Sequence, residues 1–302
     1  MKIRSLLILS LLFSSYVSKA QYRIGLVPRI SPDKKVYQKV GFTEIEIAYG
    51  SPSVRDRKVL GELIPFDKVW RAGANDATRF KTSGDLNFDG QLLPAGEYSF
   101  FIKANEDEKW ECIFNKQVKQ WGAFRYDSSE DTLRVKAKIE PGSFTEELSY
   151  SIDQTSHDTA ALVMKWENIT LSLPFTINYK NEFVKNIDAQ VEETKDHLKW
   201  VIYVQGAEHL SQNDLDPTQA LEWIKQAEIL EPKSSTWDDR FYPIEYIQQH
   251  RNWTKAKLLA SQGMFTKALE EWEKVNGSMF YEKKKDREAF EELTKEWKTK
   301  KR

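Results

Sequence analysis

The chain has 302 residues, 40% of them hydrophobic and 30% charged, which makes it globular and long enough for two ordinary domains, each with its own core. Its formal net charge is −1, so bulk electrostatics give no reason to expect nucleic acid or an anionic membrane as a partner.

The first residues have the layout of a secretory signal. Lys2 and Arg4 are followed by the apolar run Leu6–Phe13, extended weakly to Val17, and then by Ser18-Lys19-Ala20. Cleavage is expected after Ala20, leaving a product in the periplasm or outside the cell. The apolar run is too short to anchor in a bilayer, and no later segment is apolar enough to span one, so the mature chain is expected to be soluble. Gln21 stands where a lipoprotein would need cysteine. The only cysteine, Cys112, excludes an internal disulfide and reads as a buried structural thiol.

From Thr43 to Thr176 the dominant period is two. Thr43–Tyr49 places Ile45, Ile47 and Tyr49 on one face of a strand. Asp89-Gly90 predicts a tight hairpin between Leu86–Phe88 and Gln91–Leu93, because glycine accepts the positive φ such a turn demands. Strands are then expected at Glu97–Lys103 and Lys109–Asn115, with Asn105–Glu108 as the turn. Four more are expected at Thr132–Ile139, Thr145–Ile152, Ala160–Trp166 and Ile169–Phe175, with turns at Pro141-Gly142, Ser156–Asp158 and Glu167-Asn168. Short strands at this spacing predict an antiparallel all-β sandwich or barrel over residues 31–177.

After Lys180 the period becomes helical, and an α-helical domain is expected over 182–302. Glu182–Ser211 reads as one long helix. Asp216-Pro217 reads as an N-cap and first turn, opening a helix with Ala220, Ile224 and Ala227 that ends before Pro232. The same small–large–small spacing returns at Ala268, Trp272 and Val275. It is similar to the tetratricopeptide repeat, although the copies are 48 residues apart and the excess falls in Lys233–Tyr242. A plain helical bundle with coincidental spacing is the alternative. A last, highly charged helix over Tyr281–Lys300 carries Phe290, Leu293 and Trp297 as its apolar stripe.

Two clusters are candidate sites. In Tyr49–Arg79, two prolines and three glycines surround Arg55, Arg57, Trp70, Arg71, Asn75, Asp76 and Arg79. A guanidinium is a planar fork suited to a carboxylate or phosphate, so Arg71 is either a grip on an acidic ligand or a staple to Asp76 or Asp131. Trp70 is a candidate for stacking on a sugar or ring, and Gly73 for a turn. In the second cluster Trp121, Tyr126, Asp131 and Arg134 gather near Gly122, either as a binding surface or as an aromatic plug. Catalytic signatures are scarce. The histidines His157, His197, His209 and His250 show no metal-ligand spacing, and no nucleophile elbow, P-loop or dinucleotide fingerprint occurs, so no cofactor and no metal are expected.

Several of these residues carry a resemblance. Ser31-Pro32, Tyr49-x-x-Pro52-Ser53, Arg57-x-x-x-Gly61, Trp70-Arg71-x-Gly73-Ala74-Asn75, Leu93-Pro94-Ala95-Gly96-x-Tyr98 and Trp121-Gly122 with Asp131-x-x-Arg134 resemble the domain of unknown function 2911. That is a family of exported bacterial proteins found largely in the Bacteroidetes, often with a helical, repeat-like tail. The resemblance covers about Ser31–Thr176 and implies no activity. The expectation is therefore a noncatalytic envelope module that binds a protein, peptide or glycan. An envelope hydrolase with a site near Arg71 is the alternative.

Overall fold

The computed structural model describes residues 28–106, 110–232, 244–275 and 284–300, with side chains omitted for 284–290. The expected signal segment, the insertion at Lys233–Tyr242, Asp107-Glu108 and the side chain of Phe290 lie outside them. Eleven strands precede six helices among these residues. The strands are β1 Asp33–Val40, β2 Thr43–Gly50, β3 Val69–Trp70, β4 Ala74–Thr82, β5 Leu86–Phe88, β6 Gln91–Leu93, β7 Gly96–Lys103, β8 Glu111–Asn115, β9 Asp131–Lys136, β10 Lys138–Gln154 and β11 Thr159–Ile177. The helices are α1 Tyr179–Glu193, α2 Lys199–Gln212, α3 Pro217–Leu230, α4 Ile244–Ser261, α5 Phe265–Glu273 and α6 Lys284–Lys300. The chain divides into two units between Thr176 and Ile177.

The β unit is antiparallel, as its alternating pattern predicts. Its larger sheet runs β1-β2-β4-β7-β8-β9, with β3 on the far part of β7, and its smaller sheet runs β10-β11-β5-β6. Alternation sends Ile45, Ile47, Phe80, Phe100 and Phe114 into the core. Phe114 meets Phe80, Phe100 and Phe88 at centroid distances of 5.1, 5.2 and 5.3 Å, and Phe88 meets Phe175 of β11 at 5.7 Å. Asp89 and Gly90 both have positive φ, 51° and 85°, and form the tight turn between β5 and β6.

Three expected boundaries differ. The strand Thr132–Ile139 is cut at Ala137, where the chain leaves β9 in the larger sheet and enters β10 in the smaller one. The Ala137 amide donates to Trp110 O at 2.9 Å, outside either ladder. Pro141-Gly142 is not a turn but lies inside β10, opposite Ile169, with the register shifting just beyond. β10 is an edge strand, where proline costs no ladder bond. Gly142 is needed there for a close approach, since a Cβ would sit 2.4 Å from Thr170 Oγ1. Glu167-Asn168 likewise stays inside β11, with Glu167 at φ 53° kinking the strand.

In the helical unit the expected helix Glu182–Ser211 is two. Thr194 turns extended after α1, and Lys195–Leu198 reorient the chain without proline or glycine. Within the unit α2 packs on α3 and α4, α4 also packs on α3 and α5, and α6 packs on α5. Gly206 lets α2 and α3 approach, because a Cβ there would lie 3.0 Å from the Trp223 ring. Ala220, Ala227 and Ala268 are fully buried, as the spacing predicts. In α6, Trp297 is buried against Trp253, whereas Leu293 stays partly exposed. No helix among the described residues is long and apolar enough to cross a membrane.

The Asp216 side chain caps α3 by accepting from the Gln219 amide at 2.9 Å, and Pro217 follows. That bond, with Lys180 Nζ at 3.3 Å, holds the carboxyl below its ordinary value of 3.8 against the opposing effect of burial. A depressed carboxyl contributes stability that is present above the unfolded value and lost as pH falls through the folded one. Asp216→Ala should therefore cost the helical unit about 1 kcal/mol in denaturant melts near pH 7. The difference from the parent should shrink below about pH 4.

Candidate functional site

The candidate face is built around an irregular crossing of β2 and β4. Ala48 stands opposite Arg79 and Gly50 opposite Ala74, so 75–78 bulge out across from Tyr49 alone. Two glycines make this possible. A Cβ on Gly50 would sit 2.3 Å from Ala74 O, and one on Gly73 would sit 2.8 Å from Thr78 Oγ1 and 3.0 Å from Gly50 O. Gly73 is thus required for close approach, not for a turn. Positive φ falls instead on Ala72 and Asn75, at 53° and 64°. The strained Ala72 is held by its carbonyl, which accepts from Thr78 Oγ1 at 2.9 Å and from buried Tyr150 Oη at 2.8 Å.

The bulge receives the loop that follows β8. The Ala77 amide donates to Gln120 O at 3.0 Å and the Gly122 amide to Asn75 O at 3.2 Å, pairing Asp76 with Trp121 across an isolated bridge. The loop then covers an apolar patch on the face of the larger sheet away from the core, where Phe101, Ile113 and Ala77 pack with Val69, Ala123 and Tyr126. Trp121 stays 57% exposed on its outer side.

The sequence candidates fall into separate groups on this frame. Tyr126 donates to Asp131 Oδ2 at 2.6 Å and accepts from Arg134 Nη2 at 2.5 Å. Arg134 Nε also donates to Asp131 Oδ2 at 2.8 Å, and Nδ2 of buried Asn115 donates to Asp131 Oδ1 at 2.8 Å. Burial and the Asp131 carboxylate push the Tyr126 hydroxyl well above its ordinary value, so it is a neutral clamp at physiological pH. Asp76 pairs with Arg29 at 3.0 Å, and Asn75 donates to Ser31 O at 3.1 Å.

Arg71 differs from its neighbours. Both expected staple partners are engaged elsewhere, Asp76 by Arg29 and Asp131 by Arg134. Arg71 Nε is buried and meets no acceptor, while Nη1 lies 3.7 Å from where a Gly122 Cβ would be. Burial lowers the pKa of the guanidinium, and no carboxylate among the described residues opposes it. A buried donor left unmade costs about 1–3 kcal/mol.

Two expected site residues are engaged within the protein itself. Trp70 lies in the core, 7% exposed, stacked at 5.8 Å and 13° on Trp166, so alternation along β3 turns it away from any external ring. Arg57 turns back on its own loop, donating through Nε to Val54 O at 3.0 Å and through Nη2 to Ser53 O at 2.7 Å. Cys112 is buried, which pushes its thiol up and leaves it unreactive.

Residues 31–175 match the family described as a protein of unknown function, DUF2911. No curated protein and no solved structure matches the chain. The DUF2911 match spans nearly the whole β unit and contains every candidate above, but it begins just after Arg29. Sequence reasoning passed over Arg29, whose guanidinium joins Asp33 and Asp76 and lies 5.9 Å from the centroid of the Trp121 ring. Its one mark in the sequence is a cation two residues before the Ser31-Pro32 motif.

Tyr126→Phe would leave Asp131 short of one donor and Arg134 short of one acceptor. A loss of about 1–2 kcal/mol in chemical denaturation is expected, with the β unit still folded by circular dichroism.

Proposed function

We propose that this is an exported, noncatalytic binding protein of the cell envelope, with its β unit taking an acidic group of the ligand at Arg71. One observation carries the reading: Arg71 is half-buried and desolvated, and among the described residues no carboxylate answers it. A guanidinium in that state is under-satisfied until a carboxylate or phosphate arrives, and such a group would restore two charge-assisted bonds. Export is supported by the Lys2–Ala20 layout. A bacterial envelope setting rests on the family resemblance.

The helical unit we read as tetratricopeptide-like, offering its surface to a protein or peptide. Support comes from the packing order, in which α2 meets both α3 and α4 and α4 meets α5, as stacked helix pairs do. The small residues Gly206, Ala220 and Ala268 at the helix contacts support the same reading. The hydrolase alternative has less to support it, because Asp76 and Asp131 are each tied to an arginine rather than held toward a common space.

The test is Arg71→Met, which keeps the bulk and removes the charge. Stability should stay within about 1 kcal/mol of the parent or rise, because no internal pair is broken. With succinate and inorganic phosphate as probes, the parent's Arg71 Nε–H resonance should shift saturably on titration. A stability loss above about 2 kcal/mol would mark Arg71 as an internal staple instead.

A further inference from the structure

On the outer side of the same loop lie two adjoining open grooves. One has a volume of about 360 Å³ and includes Arg29 and Asp33 in its lining, and the other, of about 370 Å³, is bounded by Trp121. They share Asp76, Ala77 and Arg79, so they form one trough that passes Trp121. We infer that this trough binds an uncharged saccharide chain, with Trp121 as its stacking platform, at a site separate from Arg71.

Three features select that ligand class. The Trp121 ring is a large apolar plane, 57% exposed, and its backbone is fixed by the bridge to Asp76, so presenting it costs little ordering. The ring would stack on the C–H face of a pyranose. In the polar lining Asp76 and Asp33 pair with Arg29 at 3.0 and 3.2 Å, and the lining Arg79 is held at 3.2 Å by Glu97 from outside it. Such pairs offer neighbouring acceptors and donors to vicinal hydroxyls.

Charge balance decides against a polyanion. Lys34 and Lys35, which also line the trough, are matched by Glu147 at 2.6 Å and Glu46 at 2.9 Å, leaving Lys119 as the one lining cation without a carboxylate partner among the described residues. A trough built for phosphates or uronates would carry unanswered cations. The two grooves meet at Asp76, Ala77 and Arg79, and the small Ala77 side chain leaves the passage between them open to more than one sugar ring.

The experiment is affinity electrophoresis of the full exported chain in gels cast with single polysaccharides: neutral glucans, mannan and xylan, with polygalacturonate as the anionic control. Retardation by at least one neutral polymer is expected, and it should survive a rise in ionic strength from about 0.05 to about 0.5 M. Trp121→Ala should weaken it by about tenfold or more, and Trp121→Tyr should retain most of it. Arg71→Met should leave it unchanged, which separates this site from the acidic-group site proposed above. Retardation by polygalacturonate alone, abolished by salt, would overturn the inference in favour of an anionic ligand. No retardation by any neutral polymer, or retardation indifferent to Trp121→Ala, would overturn it outright, and neither result would touch the Arg71 reading.

Discussion

The candidate face depends on one close backbone crossing. Gly50 and Gly73 have no Cβ, so β2 and β4 come within a distance that any side chain would block. Because the strands meet there, 75–78 must bulge, and the bulge exposes amide and carbonyl groups that pair with Gln120 and Gly122. The loop is laid down in register as a result. Its inner side buries Tyr126 over Phe101, and its outer side carries Trp121.

The electrostatics follow from that placement. Arg29, Asp76, Asp131 and Arg134 each find an opposite charge within 3.2 Å. Such pairs near a surface contribute little to stability, but they fix geometry and cancel net charge. Arg71 directly follows Trp70, whose stacking on Trp166 anchors β3 to the opposite sheet, and alternation turns the guanidinium to the other face, where it lies under the loop at Gly122. Arg71 is thus a desolvated cation held in place by the apolar packing beside it, with no ion pair among the described residues. Such positioning suits a group reserved for a ligand, since the stabilising contacts lie in the tryptophan next to it.

Much of this frame was legible in the sequence. Alternation at Ile45, Ile47 and Tyr49 and the Asp89-Gly90 turn each depend on local chemistry, and each is where it was expected. Helix α3 was equally plain, because Asp216, Pro217 and its buried alanines act within one element. The boundaries that failed turn on tertiary context. Pro141-Gly142 has turn composition, yet an edge strand tolerates the proline and Thr170 demands the glycine. Gly73 was read as a turn for the same reason, although its constraint comes from Gly50 and Thr78. Trp70 and Trp121 have the same composition value, and only strand parity and the loop path separate a core ring from an exposed one. The pairing of Arg29 with Asp76 spans 47 positions, which no short motif reveals.

The most direct measurement is a pair of double-mutant cycles, Arg71→Met with Asp131→Asn and Arg71→Met with Asp76→Asn, read by equilibrium denaturation. If Arg71 has no internal anion, both coupling energies should lie within about 0.5 kcal/mol of zero. A coupling above about 1 kcal/mol in either cycle would give Arg71 a partner inside its own chain and contradict the proposal that it is held for a ligand.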